Sequence, residues 1–153
     1  MGNADLFVCK KCRYEFYAAT GIGMMFPIAY KHTVEEIKDG KYGEEWKRHL
    51  EDHPDAAVNC ESDFFVCVDC GVPKTDLNLS LFLPVKKRKR ASYVLPDDLK
   101  KRKQFQLLAE YTHRCEKCNG VCKQLGEDER PVLKCPECDG EMEIDISRMM
   151  LWD

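Results

Sequence analysis

Long apolar runs are missing from this sequence. The longest, Leu79 to Val85, is interrupted by Ser80 and Pro84 and falls well short of the roughly 18 residues of a transmembrane helix. Residues 1–5 contain no basic region leading into an apolar stretch, so no secretory signal is expected. These absences predict a cytoplasmic protein without a membrane partner.

Familiar catalytic motifs are missing as well. The sequence has no His-Glu-x-x-His pair, no glycine-rich phosphate loop and no recognisable Ser-His-Asp set. The net charge of −3 is too small to predict nucleic-acid binding from the whole chain. With 44% apolar and 33% charged residues, the composition is typical of a soluble folded protein. We therefore expect no enzymatic activity and no catalytic residues.

Cysteine, in contrast, is abundant. Eight of the ten cysteines form four Cys-x-x-Cys pairs: Cys9 and Cys12, Cys67 and Cys70, Cys115 and Cys118, Cys135 and Cys138. Without a secretory signal, a reducing compartment and thiolate–metal bonds are favoured over disulfides. The pairs predict two four-cysteine metal sites.

The spacing of the pairs favours joining neighbours in sequence. Sixteen residues separate the last two pairs, so Cys115, Cys118, Cys135 and Cys138 are predicted to form one site. The first two pairs are predicted to form the other across the 54 residues of Arg13–Val66, because loop-closure entropy grows slowly with length. Sites that mix the two halves of the chain remain an alternative.

These motifs resemble the zinc-ribbon class, in which two knuckles lie on two β-hairpins. Cys115-Glu-Lys-Cys118-Asn-Gly and Cys135-Pro-Glu-Cys138-Asp-Gly look like its two halves. The chain is also similar to small bacterial proteins with paired Cys-x-x-Cys motifs, which implies no particular activity. The zinc-ribbon resemblance implies two Zn²⁺ ions, with iron in a rubredoxin-like site as the alternative. A closed tetrahedral site has no open position for activating water, so it indicates stapling rather than catalysis.

The expected architecture is an α+β fold of two small metal-stapled β-hairpin units, the first with a helical insertion at about residues 32–53. The predicted segments are 1–84, a basic linker and helix at 85–110, and a C-terminal ribbon at 111–153. Thr33 and Glu36 match a capping box that would begin the first helix.

Three further elements are predicted. A second helix is expected from Gly43 to Asp52, where Pro54 would stop it. Another is expected from Asp97 to about Glu110, and a hairpin would pair residues 121–125 with 131–134.

The cysteines and histidines outside the pairs are weaker candidates. Cys60 and Cys122 are predicted to be buried small side chains, because free cysteine is often found in the core. The histidines are His32, His49, His53 and His113. His49 and His53 lie four residues apart at a helix end and could bind metal, but the lack of a Glu-x-x-His partner makes this the weaker interpretation.

A basic segment at residues 86–103 carries nine basic and two acidic residues. It could be a solvated linker, a nuclear-localisation signal or a phosphate-contacting surface, with Tyr93 and Phe105 available to stack on bases. The candidate nucleic-acid-binding residues are Lys86, Lys87, Arg88, Lys89, Arg90, Lys100, Lys101, Arg102 and Lys103.

Two functional classes follow. The first is a zinc-binding scaffold or binding module that contacts nucleic acid or an acidic protein. The second is a rubredoxin-like electron-transfer or thiol redox protein. The sequence leaves the partner and the oligomeric state open.

Overall fold

The computed structural model describes residues 2–86, 91–126, 129 and 132–152. Within these residues the chain forms three α-helices, one short 3-10 helix and eleven β-strands. The expected α+β class is therefore confirmed.

The chain divides into two compact units that interleave along the sequence. One, here called the β unit, comprises residues 1–23, 62–77 and 112–153; the other, the helical unit, comprises residues 24–61 and 78–111. This division does not follow the three consecutive segments expected from the sequence, because each unit is assembled from separate stretches of chain.

The β unit contains eight strands and the 3-10 helix Ile146–Arg148. The strands are β1 (Gly2–Cys9), β2 (Glu15–Thr20), β4 (Ser62–Cys67), β5 (Pro73–Leu77), β8 (Cys122–Gln124), β9 (Leu133–Lys134), β10 (Glu141–Ile144) and β11 (Met150–Trp152). Strand β1 pairs antiparallel with β2, β10 and β11, and β9 pairs with β10. Strand β4 lies between β5 and β8, also antiparallel.

Alternation along β4 links two clusters of buried side chains in the β unit. Phe64 and Val66 belong to a cluster around Phe7, whose ring lies nearly parallel to that of Phe64 at a centroid distance of 5.5 Å. Phe65 and Cys67 point to the other face and join a separate cluster. Successive strand residues face opposite ways, so one strand serves both clusters.

The predicted hairpin between residues 121–125 and 131–134 is wrong. Strand β8 pairs with β4, and β9 pairs with β10. The partners of both strands lie elsewhere in the chain, and local spacing contains no information about them.

The helical unit contains all three α-helices and a three-stranded sheet. Its elements are α1 (Phe26–Lys38), α2 (Glu44–Asp52), β3 (Ala57–Val58), β6 (Leu81–Pro84), α3 (Pro96–Leu99) and β7 (Phe105–Ala109). Strand β6 is central and pairs antiparallel with β3 and β7.

Helix α1 begins seven residues before the predicted capping box. Its buried residues, Phe26, Tyr30, Thr33 and Ile37, recur every three or four positions and form one face. Thr33 therefore lies inside the helix, where its hydroxyl donates to the Ala29 carbonyl oxygen at 2.9 Å. The capping box is wrong because burial of this face extends the helix through Thr33.

Helix α2 packs through Trp46 and Leu50, close to the predicted bounds. The Trp46 indole N–H donates to the Leu79 carbonyl oxygen at 2.7 Å in a buried setting. The Tyr111 ring meets the Trp46 ring edge-on at 5.0 Å. These contacts connect the two chain segments of the helical unit.

The predicted helix from Asp97 to Glu110 is also wrong. Helix α3 covers only four residues, and the chain then extends as β7 against β6. Phe105 is buried and packs with Leu99 and Ala57. Pairing with β6 has overridden the helical preference of the segment.

Candidate metal centre

The four Cys-x-x-Cys knuckles share one backbone conformation. In each, the residue after the second cysteine donates its N–H to the carbonyl oxygen of the first, at 2.8 to 3.1 Å. Each first cysteine in turn donates its own N–H to the carbonyl oxygen five residues later, at 2.8 to 3.0 Å. The residue after the second cysteine has a left-handed backbone in all four: Arg13 (φ 64°), Gly71 (φ 71°), Asn119 (φ 60°) and Asp139 (φ 57°).

The sequence predicts this turn at Gly71, Asn119 and Asp139, which tolerate left-handed geometry. Arg13 was not anticipated, because arginine gives no such signal. Its conformation follows from the same pair of backbone hydrogen bonds as in the other three knuckles.

The first knuckle meets the last, and the two middle knuckles meet each other. The outer cysteine site consists of Cys9, Cys12, Cys135 and Cys138, and the inner cysteine site consists of Cys67, Cys70, Cys115 and Cys118. The predicted pairing of neighbours is therefore wrong, and the alternative that mixes the halves of the chain is correct. The eight predicted cysteines are the ones brought together, and both sites belong to the β unit.

The sulfur positions fit a tetrahedral ion. Within each site, all four Sγ atoms lie within 4.8 Å of one another. The closest cross-knuckle separations are 3.5 and 3.6 Å in the outer site and 3.4 and 3.6 Å in the inner site. Four sulfurs at about 2.3 Å from a central zinc would be roughly 3.8 Å apart. The cysteines are free thiols, and either group could hold a metal ion.

The two sites are built in the same register. Cys9 lies opposite Met142 in the β1–β10 pair, and Cys67 lies opposite Cys122 in the β4–β8 pair. Met142 and Cys122 each stand four residues after the last cysteine of their site. The inner and outer sites are thus two copies of one arrangement, one nested within the other in sequence.

This repeat is visible in the sequence, although the spacing of the cysteine pairs does not indicate it. Phe7-Val8-Cys9 matches Phe65-Val66-Cys67, and Cys118-Asn119-Gly120 matches Cys138-Asp139-Gly140. The first two knuckles are therefore of one kind and the last two of another. Each site combines one knuckle of each kind, which excludes pairing the first knuckle with the second or the third with the fourth.

Backbone amides favour thiolate at the first cysteine of each site. The Lys11 and Cys12 N–H groups donate to Cys9 Sγ at 3.4 and 3.5 Å. The Cys12 amide contributes most to lowering the Cys9 pKa to about 6. Burial acts to raise the pKa of Cys67, but the amides of Cys70 and Asp69, together with the Cys118 and Cys70 thiols, outweigh it and lower that pKa to about 7.

The second cysteines of these two knuckles have raised pKa values instead. The Tyr14 amide acts to lower the Cys12 pKa, but neighbouring thiols, Cys138 foremost, raise it to about 12. Burial, followed by the neighbouring thiols, raises the pKa of Cys70 to about 12. Clustered thiols resist joint ionisation unless a cation offsets their charge. The electrostatics therefore match a cation-binding cluster.

The last two knuckles approach the first two closely through glycine. A Cβ on Gly140 would lie 3.0 Å from Cys9 Sγ, and one on Gly120 would lie 3.1 Å from Cys67 Sγ. These contacts are equivalent in the two copies, so a side chain at either position would crowd the first cysteine of its site.

The remaining cysteines lie where the sequence predicts, in buried positions. Cys60 is in the helical unit, and burial raises its pKa to about 12. Cys122 borders the inner cysteine site, and burial likewise raises its pKa to about 11.

No histidine joins a metal-ligand cluster within the described residues. His113 is buried against the Phe65 ring, with centroids 3.9 Å apart. Its Nδ1 lies 3.5 Å from Asp76 Oδ2, and Lys74 Nζ lies 2.9 Å from that same oxygen. Burial acts to raise the Asp76 pKa, but these two partners outweigh it and lower the pKa to about 2.

Five of the nine predicted nucleic-acid-binding residues lie within the part of the chain that the structure describes, and four lie outside it. Lys87, Arg88, Lys89 and Arg90 lie outside the described residues. Lys100 pairs with Glu61 and Asp97, and Lys101 pairs with Asp98.

The other three described basic residues, Lys86, Arg102 and Lys103, are exposed. The Val85 N–H donates to the Gln104 carbonyl oxygen at 2.9 Å, so the backbones of Lys86 and Lys103 adjoin one end of the β6–β7 pair.

Among the described helices, none has the length and apolar character needed to cross a membrane. Comparison of the chain with family models, curated proteins and solved structures finds no match.

Proposed function

We propose that this chain is a zinc-stapled binding scaffold without catalytic activity. The observation that carries the proposal is the pair of four-thiol clusters, each assembled from two Cys-x-x-Cys knuckles that lie far apart in sequence. Four thiolates fill a tetrahedral coordination shell and leave no position for substrate or water. The clusters are therefore suited to hold strands together rather than to perform chemistry.

The energy of metal binding supports a structural role. Structural zinc contributes apparent free energies of about 10–16 kcal/mol in small peptides near neutral pH. This is as large as the whole stability of a typical domain, about 5–15 kcal/mol. Zinc at the two sites would therefore dominate the stability of the β unit.

Metal analysis of protein purified under reducing conditions tests the proposal. We expect two zinc ions per chain, colourless protein, and cooperative loss of strand signal in circular dichroism when a strong chelator removes them. Coloured protein containing iron would instead favour the electron-transfer alternative. If the protein without metal melted at the same temperature as the metal-loaded protein, both functions would be contradicted.

The finer proposal concerns the partner. We propose that the scaffold contacts an anionic partner, nucleic acid or an acidic protein, through the basic segment at residues 86–103. The support is the exposure of Lys86, Arg102 and Lys103 at the end of the β6–β7 pair, whereas Lys100 and Lys101 are engaged with carboxylates.

Fluorescence anisotropy with a labelled single-stranded RNA, a DNA duplex and polyglutamate separates these partners. Arg102→Gln combined with Lys103→Gln should weaken binding and reduce its salt dependence, because fewer counterions are released. Lys31→Gln combined with Lys38→Gln is a charge-matched control at exposed positions of α1. Equal loss in both double variants, or no binding at low salt, would contradict a specific basic contact.

A further inference from the structure

Cys122 lies directly opposite the metal-ligand candidate Cys67 across the β4–β8 pair. The two side chains are 7% and 2% exposed and belong to the same buried cluster, with Phe65 and Cys115. Cys122 is not one of the four thiols of the inner cysteine site. A fifth thiol therefore packs beside the inner cysteine site, on strand β8, whose pairing with β4 places it opposite Cys67.

Backbone hydrogen bonds define the geometry of this pair. The Cys67 N–H donates to the Val72 carbonyl oxygen, and the Cys67 carbonyl oxygen accepts from the Gly71 N–H, so both groups point away from β8. The Cys122 N–H donates to the His113 carbonyl oxygen. Cys67 and Cys122 are thus a non-hydrogen-bonded pair, the kind in which side chains approach most closely.

Such a pair is suited to a disulfide. Cα atoms of non-hydrogen-bonded pairs are about 4.5 Å apart, inside the range of about 4.4–6.8 Å that disulfides span. Because the two cysteines already lie opposite each other on paired strands, a disulfide between them requires no rearrangement of the knuckles.

The outer cysteine site provides an internal comparison. Its first ligand candidate, Cys9, lies opposite Met142, the residue equivalent to Cys122. A thioether cannot form a disulfide, so the outer cysteine site cannot form the equivalent cross-strand bond.

We propose that Cys67 and Cys122 form a redox site, in which oxidation by a peroxide closes a cross-strand disulfide and opens the inner cysteine site. The outer cysteine site keeps its four thiols. This goes beyond the scaffold role, since it makes one of the two staples reversible.

The chemistry balances with hydrogen peroxide as the oxidant. One sulfur of the pair attacks a peroxide oxygen as its thiolate and becomes a sulfenic acid, releasing hydroxide. The other, as a thiol, attacks the sulfenic sulfur and forms the S–S bond, and its proton leaves with the displaced hydroxide as water. Two sulfurs together lose two electrons, which the peroxide gains. A metal ion at the inner cysteine site would thereby lose Cys67 as a ligand, and a dithiol reductant would reverse the disulfide by exchange.

The test uses the full-length chain loaded with zinc and treated with increasing hydrogen peroxide. A chromogenic chelator reports released zinc, and mass spectrometry of non-reduced peptides locates the disulfide. We expect loss of one of the two zinc equivalents first, with a Cys67–Cys122 bond, and recovery after reduction. A Cys67–Cys70 or Cys67–Cys118 bond as the main product would overturn the proposal.

Two variants exchange the residues at the equivalent positions. Cys122→Met should remove the early zinc loss, so that both zinc equivalents are released together at the slower rate of the outer cysteine site. Met142→Cys should give the outer cysteine site an early loss of its own, with a disulfide between Cys9 and the introduced thiol. Zinc content before oxidation checks the scaffold role separately. If Cys122→Met does not hold two ions, the Met142→Cys result decides, and an unchanged rate of release there would count against the proposal.

Discussion

Cys12 Sγ lies 3.6 Å from Cys135 Sγ, although the two cysteines are 123 positions apart in sequence. The first and last knuckles form one site and the two middle knuckles form the other, so the inner cysteine site is nested within the outer one in sequence. The helical unit is contributed by the two stretches on either side of β4 and β5.

Cys135→Ser tests the crossed pairing. We expect the variant to bind one metal ion instead of two and to leave Cys9 and Cys12 reactive toward an alkylating reagent, because their site has lost a ligand. Cys115 and Cys118 should stay protected. Mass spectrometry of alkylated peptides makes the measurement. Protection of Cys9 and Cys12 together with exposure of Cys115 and Cys118 would instead support pairing between neighbours.

Gly140→Ala tests the close approach between knuckles. The added methyl group would lie 3.0 Å from Cys9 Sγ, and overpacking of this kind typically costs about 1–3 kcal/mol. We expect weaker metal binding at the outer cysteine site alone, measured by competition with a chelator of known affinity. Gly126→Ala is the control, since nothing lies within 4 Å of its Cβ position. Equal affinities in the two variants would show that the contact is unimportant.

Asp76→Asn tests the ion cluster beside the inner cysteine site. The carboxylate accepts the Leu77 N–H at 2.9 Å and pairs with Lys74. Since the side chain is 37% exposed, we expect a loss of at most about 1 kcal/mol. Thermal melts of the metal-loaded protein measure this loss.

The pH dependence follows from the lowered pKa of Asp76. With a folded pKa of about 2 and an unfolded value of about 3.9, the carboxylate is ionised in both states above about pH 5. Its stabilisation is fully present there and would be lost only as the pH falls through those two values. The penalty of Asp76→Asn should therefore be constant from pH 5 to 8. A penalty that changes between pH 5 and 8 would contradict this assignment to the Asp76 carboxylate.

Trp46→Phe tests whether the helical unit depends on its own core. The substitution leaves the Leu79 carbonyl oxygen without its indole donor in a buried position, which costs about 1–3 kcal/mol. We expect a lower melting temperature for the α-helical signal with both metal ions retained. Release of metal at that same lower temperature would mean that the two units unfold together.

Prediction from sequence worked where the determinants are local. The knuckles follow from two-residue spacing and a turn-forming residue, and α2 follows from the spacing of Trp46 and Leu50 together with Pro54. Prediction failed where distant partners decide. Phe105–Ala109 is compatible with either a helix or a strand, and only pairing with β6 makes it a strand. The start of α1 carries a local signal, Pro27 in the first turn, but the capping-box pattern at Thr33 and Glu36 points to a later start.

The nested order of the sites has a consequence for synthesis of the chain. Translation completes the helical unit at residue 111 and the inner cysteine site at Cys118, whereas Cys9 and Cys12 have no partners until Cys138 emerges. At about 5–20 residues per second, the first knuckle waits on the order of ten seconds with two unpaired thiols. The inner cysteine site can therefore close before the outer one, which joins the first knuckle to the last.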